Sequence, residues 1–394
     1  MSGKFDPETK VWEGAKISYP VPMDSHMGEL VIKYLTDHPK CVVQLSHDDG
    51  SEMTAEELRI KIIRVAQNLQ KLGIQSEDVI SVMCENSMDL IAFINGIVQI
   101  GAIANVFSIG LSKEDLLNLF KDLKPKLMLA DASIYEKVKN VLNELNNKAV
   151  ILVSNGEIIG NPSADELLKP TGREENYENM KFVNPQSKIV AILASSGSTG
   201  PPKGVCMSQA FFVKFLTIPP WDTDGTRSLT FSGVFWGSAF RSLFLSALTN
   251  HSRVVTKKPY TPETFIEMAT KHKASSLNLN PPGWTLLLQS TAIHTFDPKY
   301  VTMVVSIGGI FTEELRKKMK KFFPSAYFMN LYGMTEITGA YSFPGQPIDG
   351  LSVGYVTPNH SMKIVDENGN SLGLGQTGEI LIKFDVSPFL VSRI

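Results

Sequence analysis

From Thr54 onward the apolar positions recur at helical spacing. Leu58, Ile62, Val65, Leu69 and Leu72 share one face, Thr54 and Glu57 form a capping-box pair at the start, and Gly73 ends the run. The apolar stretch Val79 to Cys84 then reads as a buried strand and Met88 to Ile100 as a mostly buried helix. Ser112 caps a further helix that runs to Leu123 before Pro125 breaks it. A strand over Lys126 to Ala130, a helix over Ile134 to Leu145 and a strand over Ala149 to Val153 continue the alternation. Alternating β and α segments with short connections predict a parallel sheet covered by helices on both faces.

Residues 154–187 lose this periodicity. They are rich in Asn, Glu, Gly and Pro, carry turn signals at Asn161-Pro162 and Asn184-Pro185, and read as a connection to a second sheet layer. Further strands are expected at Ile189 to Ala194, Ser228 to Phe231, Arg253 to Thr256, Ser276 to Leu279, Val301 to Ile307 and Ala326 to Leu331. Thr261-Pro262-Glu263 starts a helix with a capping hydroxyl, a proline at the first helical position and an early acid. Thr312 to Lys321 forms another, whose basic outer face reads as solvated surface. Beyond Gly345, Met362 to Val365, the turn Asp366-Glu367-Asn368-Gly369 and Gly378 to Lys383 read as a β-hairpin. The expected fold class is α/β: stacked, mostly parallel sheets flanked by helices (αβαβα), with a smaller β-rich part at the C-terminal end. The expected division is 1–187, 188–345 and 346–394.

Composition narrows the function classes. A chain of 394 residues with 43% hydrophobic and 20% charged residues and a net charge of −2 has ample core and no basic field to recruit nucleic acid. Cys41, Cys84 and Cys206 lie far apart and offer neither a disulfide framework nor a C-x-x-C metal pair, which fits a reducing compartment. The polar stretch Met1 to Ile17 lacks the apolar core of a signal peptide, and no run approaches the roughly 18 residues of a membrane helix. The final Ser392-Arg393-Ile394 is similar to the peroxisomal Ser-Lys-Leu address, so a peroxisomal location is expected, with the cytoplasm otherwise. Gly373 to Gly378 matches G-x-G-x-x-G, yet Glu379 to Lys383 alternates like a strand where the dinucleotide fingerprint requires a helix, so these glycines read as turn residues. No H-x-x-H or H-x-x-x-H spacing and no G-x-S-x-G elbow is present, so zinc and serine hydrolysis lack a nucleus.

The segment Ser195-Ser196-Gly197-Ser198-Thr199-Gly200-Pro201-Pro202-Lys203-Gly204-Val205 has the composition of a phosphate cradle. Glycines let backbone N–H groups approach an anion, hydroxyls add donors, and Lys203 adds a positive charge. It is not a Walker A loop, because Gly204 follows the lysine and two prolines forbid a helical start. Two other stretches follow predicted strands and are expected at the carboxyl edge of the sheet, where open α/β folds bind ligands. In Ser306-Ile307-Gly308-Gly309-Ile310 the glycines allow a flat base or acyl group against the backbone. In Asn330-Leu331-Tyr332-Gly333-Met334-Thr335-Glu336, Tyr332 can stack on a base, Thr335 can donate to phosphate and Glu336 can hold Mg²⁺. Each stretch alone is also compatible with an ordinary turn at a strand end.

Taken in order, the 195–205 segment, Gly308-Gly309-Ile310-Phe311-Thr312-Glu313-Glu314-Leu315, Tyr332 to Glu336, Ser352-Val353-Gly354-Tyr355 and Thr377-Gly378-Glu379-Ile380 resemble the adenylate-forming superfamily. The similarity runs from about Trp12 to Lys383 and points toward 4-coumarate–CoA ligases, acyl-CoA synthetases and insect luciferase-like proteins. The resemblance implies adenylation of a carboxylic acid by ATP with loss of pyrophosphate, then displacement of AMP by the CoA thiol. It implies that Ser195, Ser196, Gly197, Ser198, Thr199, Gly200 and Lys203 hold the β- and γ-phosphates. Gly308, Gly309, Asn330 and Tyr332 would line adenine, Thr335 the α-phosphate, Glu336 the Mg²⁺, and Phe235, Trp236, Ile310 and Gly333 the acyl group. Lys203, Thr335 and Glu336 are the catalytic candidates. Where many relatives carry a substrate-side histidine, this chain has Phe235 and Trp236, which implies an apolar fatty or aryl acid as the small-molecule partner. After Glu379 the chain departs from the family, whose next segment holds ribose through an aspartate and leads to a small domain carrying a lysine. The expectation is impaired adenylation, or a catalytically silent module that binds ATP and acyl groups.

Overall fold

The computed structural model describes residues 3–18, 21–22, 24–195, 201–217, 225–341 and 351–384. Ser196, Gly197, Ser198, Thr199 and Gly200, and the terminal Ser392-Arg393-Ile394, lie outside the described residues. Among the described residues three sheets form the frame. One has six strands, in the order Lys203–Ser208, Ile189–Ser195, Ile103–Val106, Val79–Met83, Leu127–Asp131, Val150–Ser154, all parallel except the first. The second has nine, in the order Tyr355–Val356, Ile337–Tyr341, Tyr327–Met334, Met303–Ile307, Ser276–Leu279, Thr226–Thr230, His251–Val255, Val42–Ser46, Glu52–Thr54. Its inner strands are parallel and its margins antiparallel. The third is an antiparallel sheet of four strands, Lys4–Asp6, Val11–Glu13, His360–Val365 and Glu379–Phe384.

Helix placement follows from which apolar stripe each helix carries. The Lys113–Leu123 and Tyr135–Glu144 helices bury Leu119, Phe120, Val138 and Val141 against one face of the six-stranded sheet. A middle layer holds the Met27–Asp37, Ala55–Lys71, Leu90–Gln99, Gln209–Thr217 and Gly237–Ser246 helices, whose core includes Val82 and Leu193 of the first sheet and Val43 of the second. The Pro262–Lys271, Pro281–Gln289 and Glu313–Phe322 helices cover the outer face of the nine-stranded sheet through Phe265, Trp284 and Met319. The five-layer αβαβα expectation is met.

Local stop and start signals act as the sequence implies. Thr54 accepts from Glu57 N at 3.3 Å while the Glu57 carboxylate accepts from Thr54 N at 2.7 Å, closing the capping box. Thr261 caps the helix that Pro262 begins. The 154–187 connection, by contrast, does not lead to the second layer. The Ile189–Ser195 strand that follows it pairs with Ile103–Val106 in the first sheet, and Val42–Ser46 from early in the chain joins the second. Sheet membership therefore does not follow the division of the chain at 187/188. Gly373 to Gly378 leads into the Glu379–Phe384 strand, so no dinucleotide-binding helix follows those glycines.

The contact between the middle layer and the second sheet is partly polar. Arg253, buried, donates from Nη1 to Gln44 Oε1 at 3.0 Å, and Gln44 donates to Met88 O at 2.7 Å. His251 Nε2 lies 2.8 Å from Ser228 Oγ, and burial, with Arg253 and Arg241 adding repulsion, lowers its pKa to about 3. His26, buried and stacked on Phe182 with ring centroids 4.4 Å apart, is lowered to about 4 by burial. The unfolded chain protonates both imidazoles near pH 6.5 and the folded chain does not. Their contribution to stability is therefore complete above about pH 6.5 and is lost as the pH falls toward 4, at up to about 1.4 kcal/mol per pH unit for each. Thermal midpoints measured from pH 7.5 to 4.5 are expected to fall, with a shallower slope in His26→Phe; equal slopes in the two proteins would refute this account.

Candidate functional site

The parallel strands of the second sheet end in register. Leu279, Ser306 and Asn330 are neighbours across three strands, and the last parallel pair is Ile307 with Leu331. From this edge the chain leaves through Gly308-Gly309-Ile310, through Asn280-Pro281, and through the overhang Tyr332 to Met334. Gly308 has φ +86° and open space where a Cβ would project. At Gly309 a Cβ would stand 3.3 Å from two ring carbons of Pro281, so the glycine allows the two turns to approach. Ile310 is 76% exposed on this rim.

Tyr332 and Gly333 do not form a loop after the strand; they lie within it. The Tyr327–Met334 strand continues past the end of its parallel neighbour because Ile337–Tyr341 folds back on it, pairing Met334 with Ile337. Thr335 and Glu336 are thereby the two residues of a hairpin turn. A bulge between Tyr332 and Gly333 shifts the register there, and the Tyr332 ring is partly exposed. Asn330 is buried at the level where the parallel pairing ends.

The phosphate-cradle segment belongs to the other sheet. Ser195 ends one arm of a hairpin, Lys203 begins the other, and the two are direct partners across the antiparallel pair. Because Ile189–Ser195 is parallel to its inner neighbour, Ser195 and its partner Lys203 stand at the carboxyl edge of the first sheet. Lys203 is exposed and Val205, Cys206 and Met207 are buried, which fixes which end of the strand faces solvent.

A contact that the sequence reading missed links the two edges. Asn86, just after the Val79–Met83 strand, donates from Nδ2 to Ser232 O at 3.2 Å in the segment that leads to Phe235 and Trp236. Asp131 supports it by accepting from Glu85 N at 2.8 Å and from Asn155 Nδ2 at 2.9 Å, and burial pushes the Asp131 carboxyl above its usual range. A lone asparagine beyond a strand carries no local signal for this role. Phe235 packs partly buried against the middle-layer core, and Trp236, 52% exposed, lies with its ring 5.6 Å from that of Phe235. Pro281 was also missed, although Asn280-Pro281 directly follows a predicted strand. Ser306, buried beside Asn330 in register, has a hydroxyl with no hydrogen-bond partner among the described residues.

Residues 33–386 match the family of AMP-binding enzymes. This chain belongs to that family. The matched range contains every candidate site residue from Ser195 to Glu336. The 4-coumarate–CoA ligase 2 of Solanum tuberosum is 28% identical over 380 residues, which span 90% of this chain and 68% of that protein. Among solved structures, the luciferase-like enzyme from the nonluminescent mealworm Zophobas morio superposes with a TM-score of 0.88 at 23% identity, covering 97% of this chain and 90% of that one. An anthranilate CoA ligase in complex with anthranoyl-AMP gives 0.83 at 18% identity, covering 93% and 71%. These two likenesses establish that the AMP-binding enzyme described here has the same fold.

Proposed function

We propose that this chain is an AMP-dependent acyl-CoA synthetase that activates an apolar carboxylic acid with ATP and transfers the acyl group to CoA. The observation that carries the reading is the register at the edge of the second sheet, where Gly308, Gly309 and Asn330 stand together beside the Tyr332 overhang in a chain of the AMP-binding family. On this reading adenine lies against Gly308 and Gly309 and stacks near Tyr332. The acid carboxylate attacks the α-phosphate and pyrophosphate leaves. Positioning and charge neutralisation supply most of the effect in such a displacement. Lys203 neutralises the leaving pyrophosphate, and Thr335 donates to the α-phosphate.

Mg²⁺ fits the residues present, because this ion is commonly held by one or two carboxylates together with substrate phosphates, and Glu336 on the hairpin turn supplies one. When bound, it would neutralise phosphate charge. Phe235 and Trp236 offer aromatic surface in the segment after Thr226–Thr230, which supports a fatty or aryl acid over a polar one. Ile310 and Gly333 would complete the acyl-facing rim.

Exchange of labelled pyrophosphate into ATP tests the reading. It is expected to depend on added apolar acid, with medium-chain fatty acids and hydroxycinnamates compared side by side. Absence of exchange with ATP still bound would overturn the enzymatic reading in favour of a silent binding module. Phosphate release from ATP without any acid would favour an NTPase instead.

A further inference from the structure

A cavity away from the proposed adenylation site opens between the end of the Ala55–Lys71 helix and the 171–178 part of the long connection. Its volume is about 680 Å³, within the range of small-molecule sites. Gln70, Lys71, Arg173, Asn176, Tyr177 and Glu178 line it.

The wall is fixed by bonds that leave the cationic groups unspent. The Glu174 carboxylate accepts from the backbone N of Thr171 and Arg173 at 3.0 Å each and from Arg64 Nε at 2.9 Å, and the Thr171 bond, then the Arg64 bond, lower its pKa to about 2. Gln67 Nε2 donates to Arg173 O at 3.0 Å, and its Oε1 accepts from the Thr171 hydroxyl. Asn68 Nδ2 donates to Leu167 O and Lys169 O at 3.0 and 2.9 Å. The connection is thus tied to the helix along its length. Neither Lys71 nor Arg173 forms an ion pair among the described residues; the Lys71 ammonium reaches only Asn68 Oδ1, at 3.3 Å. The Tyr177 hydroxyl oxygen is buried and makes no hydrogen bond of proper geometry, although Gln99 lies near enough to temper the rise of its pKa to about 12 that burial causes.

We propose that this cleft binds a phosphorylated small molecule, a phosphate ester whose phosphate meets Arg173 and Lys71 and whose hydroxyl-bearing part meets Asn176 and Gln70. A guanidinium fork and an ammonium lining one cavity suit a tetrahedral oxyanion, and the amides suit hydroxyl groups. Glu178 in the same lining disfavours a bare anion and favours a ligand with donors of its own.

Titration calorimetry of the purified chain with ribose 5-phosphate tests this. Saturable binding is expected, weaker at high salt, and about tenfold weaker in the double variant Lys71→Gln/Arg173→Gln, since each exposed ion pair contributes only a few-fold. Lys203→Ala is expected to leave this binding unchanged, and the double variant to keep wild-type pyrophosphate exchange, which separates the cleft from the proposed ATP site. Three results would each overturn the proposal: no saturable binding, binding unchanged by the double substitution, or inorganic phosphate binding as tightly as the ester.

Discussion

Lys203→Ala is expected to lower acid-dependent pyrophosphate exchange by roughly 10²- to 10³-fold, about 2.7–4 kcal/mol, the usual effect of removing one preorganised electrostatic donor. The lysine stands at the mouth of the hairpin, opposite Ser195, with its position set by the buried residues that follow it in the strand. Its side chain is exposed, so the substitution removes a charge without opening a cavity. The thermal midpoint should therefore stay within about a degree or two of wild type, because surface changes of this kind stay within about 0.5 kcal/mol. Lys203→Arg tests geometry apart from charge, since a planar fork does not replace a compact ammonium. Exchange reduced less than about threefold in Lys203→Ala would remove the lysine from the phosphate-binding role.

Trp284→Ala is expected to cost roughly 3–5 kcal/mol of stability, seen as a lower urea midpoint. Trp284 is fully buried beneath the second sheet, with ring centroids 6.0 Å from Phe265 and from Phe323 in edge-on contacts. Its Nε1 donates to Val305 O at 3.0 Å, two residues before the strand ends at Ile307 and gives way to Gly308. Removal would leave a large void and take one hydrogen bond from the Val305 carbonyl, three residues before the glycine turn on which adenine is proposed to lie. Trp284→Phe keeps most of the volume and loses the hydrogen bond, so its cost should be clearly smaller. A loss below about 1 kcal/mol in Trp284→Ala would show that the outer helices do not depend on this anchor.

Much of the element sequence was legible because its signals are local. The capping pair at Thr54 and Glu57, the proline at 262 and the apolar runs at Val79 and Ser276 each act within a few residues, and each element appears where the pattern puts it. Several strands escaped, two of them for opposite reasons. Ile103–Val106 has four residues, too few to show a period, and Lys203–Ser208 follows glycines and prolines whose turn character dominates the reading. The third sheet was half legible. The Met362 and Ile382 strands pair as expected, but Val11–Glu13 joins them from the other end of the chain. Nothing in a three-residue strand announces a partner so far away in sequence.

The sequence by itself determined the kinds of loop available: a hydroxyl- and glycine-rich segment ending in Lys203, a Gly308-Gly309 turn after an apolar strand, and a Tyr332 to Glu336 stretch after another. Those follow from backbone freedom and side-chain chemistry, which are properties of a few adjacent residues. Only the tertiary structure decided that the first loop belongs to one sheet and the other two to a second. It also decided that Tyr332 sits on a strand overhang with Thr335 and Glu336 at its turn, and that Asn86 joins the two edges through Ser232. Register and sheet order are set by the packing of side chains from distant parts of the chain, so they emerge only when the layers close on one another.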